Sequence, residues 1–171
     1  QNWVHNKLFR ASYVHERNLS FQPLHRTADL LFTCRALTEA HHIALLDEYL
    51  HRFRINNANS AMATSDRYPL DFYEALTALR DTLKEQGTWE LYHDSYISWA
   101  AISVIANLEV ARSLEGFATI ANKMKRGGLQ ELDLVDADIS SLESPWHQQR
   151  IQDILHLPLT ELVFAHYADL K

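Results

Sequence analysis

Two residue pairs carry a spacing that could do chemistry: Glu39 with His42, and Glu90 with His93. Residues three apart share a helix face, so each Glu-x-x-His pair would offer a carboxylate and an imidazole side by side. Ferritin-like bundles use two such pairs, with one further Glu from each of two other helices, to bridge two iron or manganese ions. Glu16 and Glu74 are the available further carboxylates. The depths disagree. Glu74 lies thirteen residues before Gly87 and His93 six after it, which puts them about 20 Å and about 9 Å from that turn along their helices. With ten histidines in a helical chain, pairs at this spacing also arise by chance. The expectation is therefore no bound metal, with His42 a hydrogen-bonded core residue and Glu39, His42, Glu90 and His93 the alternative ligand set.

Other chemistry is less well supplied. Pro158 separates His166 from His147 and His156, and nothing distinguishes any histidine as a haem ligand, so no cofactor is expected. No Gly-x-Ser-x-Gly turn is present, and Cys34 falls on an apolar stripe, where a thiol is an inert small hydrophobe. Lys125, Arg126, Gly127 and Gly128 follow a helix instead of opening one, unlike a phosphate-binding loop. Asp133, Asp136 and Asp138 lack the glycine and closing Glu of a calcium loop. Tyr92, Tyr96 and Trp99 share a face near Trp89. They read first as core, and second as the wall of a small-ligand pocket whose binding residues would be Arg35, His42, His93, Trp99 and Asn107.

These side chains need helices to hold them. Four glycines and four prolines in 171 residues are too few for the regular turns of an all-β domain. The hydrophobic share of 47% is that of a folding chain, and a chain this long buries one sizeable core. The spacing predicts helices over residues 1–20, over 27–55, from Pro69 to Gly87, over 89–126, from Ser144 to Leu155, and from Pro158 through Leu170. The helix over 89–126 would be about 57 Å long if unbroken, so either the bundle is elongated or the chain bends near Gly116. Residues 56–66 read as a loop, and 129–142 as a loop, a short helix or an edge strand. The fold expectation is an all-α, single elongated helical bundle of about five to six helices, residues 1–171 forming one domain excised from a longer chain.

The net charge of −6 repels a phosphate backbone, so nucleic acid is not an expected partner. A lone cysteine excludes an internal disulfide, and no apolar run is long enough to insert in a membrane. The first and last predicted helices reach the sequence ends uncapped, as they would in a domain lying between two membrane spans. The expected function is thus a non-catalytic sensor or ligand-binding domain of a membrane signalling protein, extracytoplasmic, binding a small molecule or a protein, with a homodimer as an available assembly. The alternatives are a helical metalloprotein and a protein-interaction or regulatory ligand domain.

Overall fold

A computed structural model describes residues 3–52, 65–142 and 144–168. Among them there is no strand, and the architecture is all-α. The best-marked helix in the sequence opens the core. In α3 (Asp71–Glu85), Phe72, Ala75, Leu76, Leu79 and Leu83 form one buried face. Gly87, at φ +66, turns the chain, and the Thr88 amide closes on the Leu83 carbonyl at 3.0 Å. Only glycine takes that left-handed backbone without strain, which is why the helix stops there.

The chain returns as α4 (Trp89–Glu109), antiparallel to α3. Ala75 of α3 and Ala100, Ala101 and Val104 of α4 have no exposed surface. Such small side chains let two helix backbones approach closely. The 89–126 segment bends instead of forming one long rod, and the bend precedes Gly116. Val110 closes α4, and the Ser113 side chain caps α5 (Leu114–Lys123) by accepting from the Gly116 amide at 3.0 Å. A kinked π turn, Met124–Gly128, leads into the single turn α6 (Leu129–Glu131). The alternating stretch beyond it is irregular, with a 3-10 turn at Ile139–Ser141. Its aliphatic residues Leu129, Leu132, Leu134 and Leu142 are buried, so it wraps the bundle as a strap. Pro145 opens α7 (Pro145–His156), which packs on α4, and α8 (Leu159–Ala168) packs on α5.

Two predicted helices are corrected. Residues 1–20 do not form one helix: a 3-10 turn at Val4–Asn6 is followed by extended chain and the short α1 (Ala11–Glu16). Leu8, which helical spacing places on one apolar face with Val4 and Ala11, is 95% exposed. The chain bends around Phe32 instead. Phe9 meets Phe32 edge-on at 5.1 Å and Phe21 stacks on it at 4.5 Å, which a straight helix could not arrange.

Of the helix predicted over 27–55, the described residues form α2 (Asp29–Thr38), and residues 40–52 have no regular structure. The apolar pattern explains the break. Wound at about 100° per residue, Leu45, Leu46 and Tyr49 would face more than about 110° away from the mean direction of Leu30, Phe32, Thr33 and Ala36, the buried face of α2, while Ile43 and Leu50 would fall beside Phe32. A continuous helix could not bury Leu45, Leu46 and Tyr49 on the same side as the buried face of α2. Phe53, Arg54 and Ile55, the loop residues 56–64, Leu170, and both chain ends Gln1 and Lys171 lie outside the described residues.

α2 runs parallel to α3. At one end the His25 and Arg26 amides donate to Asp71 at 2.8 Å each, and at the other Gln86 of α3 donates to Glu39 at 2.9 Å. Val4, whose amide reaches Asp29 at 3.4 Å, lies at the first of these ends. His166 lies there too, against Phe117 and beside Glu109.

Candidate functional site

The residues selected from the sequence are not gathered at one place. Arg35 donates from Nε to Glu39 at 2.8 Å and from Nη2 to the Arg17 carbonyl at 3.0 Å, tying α2 to the end of α1. Burial alone would raise the Glu39 carboxyl, but hydrogen bonds from Arg35 and Gln86 hold it below its usual value. Glu39 is therefore an ion-pair partner. His42, expected in the core, is exposed on the irregular segment.

His93 sits near the start of α4, where its ring meets Trp89 edge-on at 5.1 Å and its Nδ1 lies 2.9 Å from Asp94. Glu16, Glu74 and Glu90 are exposed. Trp99 is half-buried, and its indole N–H has no hydrogen-bond partner among the described residues. Asn107 is about 21 Å further along α4 than His93. Its side chain donates to the Ser103 carbonyl at 2.9 Å and accepts from Arg26 at 3.2 Å. Among the described residues, no three or more His, Cys, Asp or Glu side chains come close enough to hold a metal ion. Burial pushes the Cys34 thiol up to about 11. At neutral pH the thiolate that does nucleophilic chemistry is scarce there.

Asn107 belongs to a polar cluster that the sequence did not reveal. Arg26 is buried between the start of α3 and the end of α4, with Asp71 and Asp66 as its nearest opposite charges. His25 stacks on Tyr68 with ring centres 3.7 Å apart. Asp66 accepts from the Arg112 amide at 3.0 Å, and a side chain at Gly116 would meet Asp66 at 2.9 Å. Burial would raise the Asp66 carboxyl, yet hydrogen bonds from Arg112, Ser113 and Ser65 hold it low. Thr27, a β-branched residue at φ +54, carries backbone strain that this network has to hold. An isolated Arg in a short loop carries no pattern that could have marked it. The cluster clamps the connection into α2 onto the α3–α4 pair.

Among the described residues an open cleft of about 540 Å³ lies along residues 137–140, Pro145 and Gln148, Gln149 and Gln152. A second, smaller cavity of about 20 Å³ lies between α4, α5, α7 and α8, walled by Ile105, Leu108, Phe117, Ile154 and Leu162 with Glu109, Arg150 and His166, and has room for about one water molecule. The feature with most unsatisfied chemistry is on the surface. Leu45 and Tyr49 are 92% and 107% exposed, and Ile43, Leu46 and Leu50 are each more than half exposed. Five large apolar side chains thus stand in water within eight residues. No helix of the described residues is long and apolar enough to cross a membrane. Comparison of the chain with protein-family models, with curated proteins and with solved structures finds no match.

Proposed function

We propose that this chain is a non-catalytic helical domain that acts by binding another protein, with residues 43–50 as its recognition element. The observation that carries this reading is the exposure of Ile43, Leu45, Leu46, Tyr49 and Leu50 together. Scattered apolar side chains on a surface are ordinary, but a contiguous group marks a contact surface. The rest of the chain supports it. Arg35, Glu39, Asn107 and Arg26 are engaged in holding the bundle.

The variant carrying Leu45→Ser, Leu46→Ser and Leu50→Ser tests this. Its resistance to chemical denaturation should change by less than about 0.5 kcal/mol, as for exposed positions. In extracts of the cells that make it, the native protein should elute in a larger assembly and the variant at its own mass. Identical elution of the two would overturn the reading, and so would unfolding of the variant, which would make these leucines part of the core.

One observation favours a second reading, a sensor domain between two membrane spans. Val4 and His166 lie at the same end of the bundle, as a domain returning to its bilayer requires. In such a sensor, a partner seated on residues 43–50 would act by displacing α2, to which they are joined.

A further inference from the structure

Residues 41–51 have no helix, yet histidine fastens them at both ends. At the first end, His41 Nε2 lies 3.3 Å from Nη2 of Arg17, the residue that closes α1. A guanidinium can only donate, so His41 has to accept, and Nε2 accepts only when it carries no proton. At the other end the His51 ring faces the His5 ring, with centres 4.4 Å apart and planes 35° apart. Two neutral imidazoles pack at that distance, whereas two imidazolium ions repel. Both fastenings therefore need imidazole in the same neutral form.

The surroundings of the first end disfavour a further positive charge. Arg35 stands there with Arg17, donating from Nη2 to the Arg17 carbonyl. The carboxylate at hand is Glu39, which the Arg35 and Gln86 side chains already engage. Tyr13, bonded to the Ala36 carbonyl, has its hydroxyl raised by burial and stays neutral. At the second end the Trp3 ring lies 5.2 Å from His5. The charged neighbours are Lys7 and Arg52, both cations, and Asp29, which accepts from the Val4 amide at 3.4 Å.

We infer that residues 41–51 are a pH-released latch, held to α1 and to the Val4–Asn6 turn while His5, His41 and His51 are neutral and freed when they take up protons. Imidazole changes charge between about pH 5 and about pH 8. Protonation favours the freed form, so the attachment is complete at the upper end of that range and is lost as pH falls through it. The apolar side chains from Ile43 to Leu50 lie between the two fastenings. Their presentation to a partner thus changes with pH, a consequence that rests on the protein-binding reading above, whereas the latch itself does not.

Carbon-13 relaxation of the Cα atoms of residues 43–50 in the isolated chain tests the latch, since exchange of exposed amides leaves that signal intact. Backbone order parameters should be about 0.8 at about pH 8 and below about 0.6 at about pH 5, with those of α3 and α4 unchanged. His41→Gln with His51→Phe should keep the segment ordered at both pH values. An amide oxygen still accepts from Arg17, and a phenyl ring still packs on His5 whether or not His5 is protonated. Native order that is unchanged by acid, or low at both pH values, would overturn the latch and leave protein binding standing. Order lost on acidification in the variant too would place the acid response elsewhere, and a variant disordered at both pH values would show that neutral acceptance and stacking are not what holds the segment. Order lost in α3 and α4 together with the segment would make the change acid unfolding, and each of these three results overturns the latch as well.

Discussion

Leu76→Ala is expected to destabilise the protein by about 2 to 5 kcal/mol, because truncating a core leucine loses both transfer energy and the contacts around the cavity left behind. Leu76 has no exposed surface and lies in the centre of the α3 face that meets α4. The Tyr96 hydroxyl hydrogen-bonds to its carbonyl at 3.4 Å, so the backbone there is also held and cannot shift to fill the space. Urea denaturation of the variant beside the native chain measures the difference. A change below about 0.5 kcal/mol, typical of surface positions, would place this face outside the core.

Gly128→Ala is expected to cost about 3 kcal/mol, the upper end of what inserting a methyl into a packed site costs. A Cβ there would stand 2.7 Å from the Lys123 carbonyl oxygen and 2.9 Å from the Met124 methyl. The methionine end can swing aside, but the carbonyl belongs to the end of α5 and cannot move without unwinding the turn that feeds α6. Gly87→Ala is the control. A Cβ at Gly87 would meet nothing within 4 Å, so only its φ of +66 is at stake, a cost of about 1 kcal/mol. Equal losses in the two variants by denaturation would show that backbone conformation, not the carbonyl contact, dominates at Gly128.

The helices were legible where the chain punctuates itself. Pro69, the acidic first turn of α3 and Gly87 marked one helix at both ends, and Ser144 with Pro145 marked the start of α7. Apolar periodicity was less informative where it ran on without punctuation. It did not show that the apolar residues after Thr38 would stay exposed, nor that Phe32 would draw Phe9 and Phe21 to itself and so break the first helix. Residues 129–142 were ambiguous because Leu132 and Leu134 are both buried although two apart. Asp133 between them, at φ +56, makes the turn that allows this.

The candidate site was legible only in part. Glu39, His42, Glu90 and His93 were chosen for spacing, and spacing constrains chemistry only when the residues are helical and face inward. His42 lies on irregular chain and Glu90 on an exposed face. Asn107 does meet a buried cation, but that cation is Arg26, which comes from a loop eighty-one residues away and had no signal of its own. Residues 43–50 carry Ile43, Leu46 and Leu50 at helical spacing, an apolar face. That it has no place on this bundle is a tertiary fact, decided by the direction in which α2 packs.

Hydrogen exchange at the amides of residues 41–52 tests the central claim most directly, comparing the isolated chain with the assembly purified from the cells that make it. Burial of residues 43–50 against a partner predicts rapid exchange in the isolated chain and exchange at least about 100-fold slower in the assembly, with the amides of α3 and α4 little changed. Equally rapid exchange in both would contradict it.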